Sequence, residues 1–118
     1  MKHFIIPTLV TICLLSIPIA VMAENPAKVI LSEGLSKDAT LIDVRSAEEF
    51  KSGHLKNAIN IPHKEISKEI TKHVKKKDAK IVLYCKRGVR AEWALKDLKK
   101  LGYTKVTNAG GYDDLKDE

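Results

Sequence analysis

Ile81-Val82-Leu83-Tyr84 is an unbroken run of large, mainly apolar side chains, entered from Lys80 and left through Cys85. A strand with one face in solvent would alternate with polar residues, so a run this short and uniform predicts a strand buried on both faces. Such a strand needs cover above and below, and helical patterns stand on either side of it in the chain. Thr40-Leu41-Ile42-Asp43-Val44 is a second run of similar kind. Strands alternating with helices predict an α/β fold of one domain, with a central parallel sheet and helices on both faces.

The intervening segments fit that frame. Asn25-Pro26 predicts an N-cap and first helical position for a short helix closing near Gly34. Ser46-Ala47-Glu48-Glu49 has the spacing of a capping box, and Gly53 ends the turn of helix that follows. Ala58 to Ile61 predicts another strand, stopped by Pro62. Between His63 and Val74, the residues Ile66, Ile70 and Val74 recur at every fourth position, a narrow apolar stripe on a charged helix. Ala91, Ala94, Leu95, Leu98 and Leu101 mark the next helix, with Gly102 as its cap. Lys105-Val106-Thr107 predicts a last short strand, followed by Gly110-Gly111 and a terminal helical turn. Six Gly and four Pro are too few for a collagen-like or low-complexity chain, and 44% apolar residues are too many for intrinsic disorder.

Residues 1–23 are expected to be a cleaved signal peptide. Lys2 gives a basic start, no charged residue occurs from Phe4 through Ala23, and Val21-Met22-Ala23 places small or aliphatic residues where signal peptidase reads. Glu24 then opens the mature chain. The competing expectation is an uncleaved anchor, since the uncharged stretch could just span a bilayer. Pro7, Pro18 and the lack of a basic stop-transfer cluster weigh against it. Thr11-Ile12 before Cys13 lacks the small residues that precede a lipid-modified cysteine, and no twin arginine is present. A periplasmic protein without stable membrane insertion is therefore expected. Cleavage removes Cys13 and leaves Cys85 as the sole thiol, so no intramolecular disulfide can form. A lone cysteine in an oxidising compartment is buried and inert, paired between chains, or kept for chemistry.

The place of Cys85 favours chemistry. In parallel sheets ligands bind beyond the carboxyl ends of the strands, and Cys85 directly follows Ile81–Tyr84. Cys85-Lys86-Arg87-Gly88-Val89-Arg90 then runs into the helix expected from Ala91. This strand–loop–helix arrangement aims backbone N–H groups and the positive end of a helix dipole at a bound anion. Lys86, Arg87 and Arg90 add three cations within five residues of the sulfur, and Gly88 permits a positive φ in the tight turn. Cations and amide donors favour the thiolate, the nucleophilic form of a thiol.

These residues also carry a resemblance. Leu41-Ile42-Asp43-Val44-Arg45, Glu49-Phe50, Gly53-His54-Leu55, Ala58 and Asn60-Ile61-Pro62 resemble the first signature of rhodanese-like domains. Val82-Leu83-Tyr84-Cys85 with Gly88 and Arg90 resembles the family's active-site loop. Gly102-Tyr103, Val106 and Asn108-Ala109-Gly110-Gly111 are similar to its closing signature. The resemblance spans residues 26–116 in order. It implies a single rhodanese-like domain over 24–118 and a sulfurtransferase that carries sulfane sulfur as a persulfide on Cys85. Together with the leader it resembles the small single-domain periplasmic thiosulfate sulfurtransferases. Phosphatase relatives place five residues between Cys and Arg; here there are four, which resembles the sulfur-transferring type. Arg87 matches a position that is basic in thiosulfate-using members and neutral in mercaptopyruvate-using ones.

The expected site is thus Cys85 as nucleophile, with Lys86, Arg87, Gly88, Val89 and Arg90 binding a small anionic donor, thiosulfate, and Asp43 and Arg45 in support. The blander alternative is that Lys86 and Arg87 are solvated loop charges. The acceptor is cyanide in the assay and a thiol not specified by sequence in the cell. Neither a cofactor nor a metal is expected, since His54, His63 and His73 have no ligand spacing with one another or with Cys85. A monomer is expected. Lys75-Lys76-Lys77 suits a helix end, and without interleaved aromatics it does not point to nucleic acid. Trp93 lies opposite the Ala94/Leu95/Leu98 stripe and is expected to be exposed near the cradle, to dock a partner or to lie under lysine stems. The alternatives from other classes are a non-catalytic rhodanese-like binding module, which an intact Cys85 disfavours, and a thiol-redox partner, which would lack a resolving cysteine.

Overall fold

The computed structural model describes residues 39–116. The expected leader and the helix expected at Asn25–Gly34 lie outside the described residues. Four strands form one sheet in the order β2-β1-β3-β4, where β1 is Ala39–Asp43, β2 Ile59–Asn60, β3 Lys80–Cys85 and β4 Lys105–Gly111. Every pairing is parallel. Helix α1 (Ala47–Ser52) follows β1, and a 3-10 turn at His63–Glu65 leads into α2 (Ile66–His73). Helix α3 (Val89–Lys100) follows β3, and α4 (Tyr112–Leu115) follows β4.

The two-residue period of the strands divides the core. Ile42, Val44, Ile81, Leu83 and Cys85 face one side, beneath Ile66 and Ile70 of α2 and Ala91, Ala94 and Leu98 of α3. Leu41, Val82 and Tyr84 face the other, packed with Ala109 and Leu115 and flanked by Leu55, Ala58 and Tyr112. Asp43 pairs in register with Tyr84 and so shares its face, opposite Cys85.

Three boundaries differ from the expected ones for identifiable reasons. The helix expected to begin at Ala91 begins at Val89, because Gly88 (φ 100°, ψ −14°) turns the chain directly into it. Val89 is exposed and adds nothing to the apolar stripe that located the helix. The helix expected over His63–Val74 is divided: Pro62 opens a 3-10 turn, and α-helical bonding starts only at Ile66. The final strand continues four residues past Thr107, since Asn108–Gly111 stay paired with β3 through a bulge.

Candidate active site

Cys85 is the last residue of β3, and its thiol is buried between the sheet and α3. The chain then folds back so that the Gly88 N–H donates to Cys85 Sγ at 2.9 Å. The positive φ of Gly88 makes this possible, and a side chain there would be strained. The loop therefore curls round the sulfur, as expected, with Val89 and Arg90 opening α3 beyond it. Lys86 and Arg87 project from the loop, exposed and in no ion pair among the described residues.

Arg90 is engaged differently. Its Nη1 and Nη2 donate to Glu49 Oε1 and Oε2 at 2.7 and 3.0 Å, a bidentate clasp between the first turn of α3 and α1. Each partner stabilises the charge of the other. Arg90 holds the Glu49 carboxyl down at about 2, helped by bonds from Ser46. Glu49, and behind it Cys85, raises Arg90 above its ordinary value. The Ser46–Glu49 capping box is present as the spacing predicts, with Glu49 N–H donating to Ser46 Oγ at 3.2 Å. The same carboxylate thus caps one helix and fastens another.

The far wall comes from β4. Leu83 pairs with Asn108 but Cys85 with Gly111, so β4 carries an extra residue opposite Tyr84. Asn108 Oδ1 accepts from the Gly110 N–H at 2.9 Å and shapes this bulge, while its Nδ2 donates to Gly88 O at 2.9 Å and to Glu92 Oε2 at 3.2 Å. A Cβ on Gly111 would lie 2.5 Å from Lys86 O and 3.2 Å from Arg87 Cα. Gly111 is what lets the loop backbone close down on the strand. Asn108, Gly111 and Glu49 were not singled out as site residues from their local pattern. The Gly110-Gly111 pair is the one local signal that could have drawn attention to this wall.

Asp43 and Arg45, expected in support, form an ion pair, with Arg45 Nε at 3.0 Å from both carboxylate oxygens and Nη2 at 2.7 Å from Oδ2. Both are buried, and Arg45 Nη2 also donates to Gly53 O at 2.7 Å. The guanidinium lies 4.4 Å from the centre of the Tyr112 ring. Asp43 faces away from Cys85, so this pair braces the β1–α1 turn and does not line the thiol loop. His54 stacks on Phe50 with ring centres 3.7 Å apart. Among the described residues no three His, Cys, Asp or Glu side chains gather as a metal site would require. No helix there is long and apolar enough to cross a membrane.

A short parallel sheet with a thiol at the carboxyl end of its central strand and a curled loop entering a helix defines a class, and comparison places the chain in it. Residues 28–118 match the rhodanese-like domain, and the chain belongs to that family. It is 40% identical over 74 residues to the thiosulfate sulfurtransferase PspE of Escherichia coli K12, a stretch covering 63% of this chain and 71% of PspE. It is also 37% identical over 78 residues to the tRNA uridine(34) hydroxylase of Enterobacter, covering 63% of this chain but only 22% of that enzyme. Among solved structures, a rhodanese with anions from E. coli superposes with a TM-score of 0.63 at 39% identity, over 64% of this chain and 89% of that one.

Proposed function

We propose that the protein is a sulfurtransferase that moves the outer sulfur of thiosulfate to a nucleophilic acceptor through a persulfide on Cys85. The observation that carries this is the Gly88 N–H aimed at Cys85 Sγ at 2.9 Å, within a loop whose Lys86 and Arg87 are exposed and in no ion pair among the described residues. In the first step the Cys85 thiolate attacks the sulfane sulfur. The S–S bond of thiosulfate breaks, its electron pair leaves with sulfite, and Cys85 holds a terminal sulfur bearing the negative charge. In the second step cyanide or a thiolate attacks that sulfur, and the Cys85 thiolate is restored. Loop N–H groups serve both steps by donating to negative sulfur, as an oxyanion hole does for oxygen. Arg87 attracts the dianionic donor, while Arg90, clasped to Glu49, fixes the end of the loop. The 40% identity to a thiosulfate sulfurtransferase supports the choice of donor. Residues 1–23 are proposed to be removed on export, which leaves a periplasmic domain from Glu24 with one thiol.

Intact-mass measurement tests the reading directly. After thiosulfate treatment and desalting, the protein should gain the mass of one sulfur atom, and cyanide should remove it. An unchanged mass favours the non-catalytic binding module. A disulfide-linked adduct favours the thiol-redox partner.

A further inference from the structure

Large apolar side chains are exposed at three positions among the described residues, and two of them, Val89 (57%) and Trp93 (52%), stand one helical turn apart at the start of α3. They adjoin the thiol loop on a shared ridge. The Trp93 ring rests on one side against His63, with centres 5.4 Å apart, and its remaining surface is open. Burial, Arg90 and Lys64 lower His63 below its ordinary value, which favours the neutral ring beside Trp93. Around the ridge Lys86, Arg87, Lys64 and Lys96 are exposed and in no ion pair among the described residues. Of the neighbouring acids, Glu49 is neutralised by Arg90, while Glu92, which accepts from the neutral Asn108 amide, Asp97 and Glu65 are in no ion pair among the described residues. Cyanide would need none of this surface. An exposed aromatic beside an aliphatic, rimmed by more basic than acidic side chains, has the composition of a protein-binding hot spot.

Resting on the proposed sulfur transfer, we infer that the Val89–Trp93 turn of α3 docks the acceptor, a protein whose receiving cysteine lies beside an apolar and acidic surface. Trp93 and Val89 supply the desolvated contact, and Lys86, Arg87, Lys64 and Lys96 supply charge complementarity and orientation. The partner's thiolate then meets the terminal sulfur on Cys85, takes it, and leaves Cys85 as the thiolate.

The test uses two short cysteine peptides, one flanked by leucine and glutamate and the other by leucine and lysine, with cyanide as the small acceptor. Wild type should transfer sulfur to the acidic peptide with kcat/KM about tenfold above that for the basic one. Trp93→Ala should lower transfer to the acidic peptide about tenfold while leaving transfer to cyanide unchanged. Equal losses with both acceptors, or no loss with the peptide, overturn the docking face. Failure of wild type to transfer to cyanide would instead overturn the sulfur-transfer reading, and docking is then read without turnover. Trp93 is the single tryptophan. Titrating Cys85→Ser with the acidic peptide should blue-shift its emission, less so at high salt; an unmoved spectrum overturns the inference.

Discussion

β1 and β3 run side by side and leave the sheet at the same edge, each into a segment that carries arginine close behind the strand. Their ends are built for opposite purposes. At the end of β1 the two nearest charges consume each other: Arg45 holds Asp43 and Gly53 O and lies over Tyr112, and both members of the pair are buried. At the end of β3 the sulfur is buried, yet Lys86 and Arg87 are exposed and in no ion pair among the described residues. Burial on that scale suits an ion pair only when its hydrogen bonds are complete, which makes the β1 end a rigid brace. The unpaired cations at the β3 end remain available to a ligand. Position at the carboxyl edge of a parallel sheet therefore does not by itself make a site; what matters is which charges the fold leaves unsatisfied.

Substitutions at the two ends should separate chemistry from stability. Cys85→Ser should reduce thiosulfate:cyanide sulfur transfer to background with the fold intact, because a hydroxyl is not ionised at neutral pH and cannot carry the persulfide; activity assay with circular dichroism checks both. Arg45→Met should do the reverse. It leaves a buried carboxylate unpaired and should cost about 3 kcal/mol by urea unfolding, with little change in rate per folded molecule. If Arg45→Met abolishes turnover in fully folded protein, the brace belongs to the site after all. Arg87→Ala should lower kcat/KM for thiosulfate about tenfold, equivalent to ~1.4 kcal/mol, while a neutral alkylating reagent loses much less reactivity toward Cys85. Equal losses would mean that Arg87 acts on the thiol and not on the donor.

The smallest effect concerns the clasp between the two ends. Glu49 lies near 2 when folded against an ordinary 4.5, so its ionised form stabilises the fold. That contribution is complete above pH 4.5 and is lost as pH falls toward 2. Both side chains of the pair are partly exposed, which limits it to about 1 kcal/mol or less. Glu49→Gln should therefore unfold at lower urea than wild type at pH 6, and the gap should close on acidification through that window. A gap that persists at low pH would assign the effect to packing.

Local sequence disclosed what local physics determines. The apolar runs gave β1 and β3, the Ser46–Glu49 spacing gave the start of α1, and the place of Cys85 after a buried strand gave the thiol loop. Gly88 announced its own positive φ. Hidden from sequence were the relations made by tertiary packing. Glu49 had an adequate local role as a cap, so nothing in its neighbourhood pointed to Arg90, 41 residues away. The length of β4 was obscured because Gly110-Gly111 marks a strand end by its local pattern, whereas the bulge keeps Asn108–Gly111 in the sheet. Asp43 and Arg45 were legible as supporting residues, but the face they occupy depends on strand register, which the alternation of neighbouring side chains fixes only once the sheet is assembled.

The bulge in β4 has a consequence for biosynthesis. Asn108 fastens Gly88 from 20 residues downstream, and Gly111 seats the loop backbone. A nascent chain that has released β3 from the ribosome holds the cysteine but not the wall that shapes its loop. The closed loop thus arrives only when β4 joins the sheet, so a stalled or truncated polypeptide carries Cys85 without the wall that seats the loop around it.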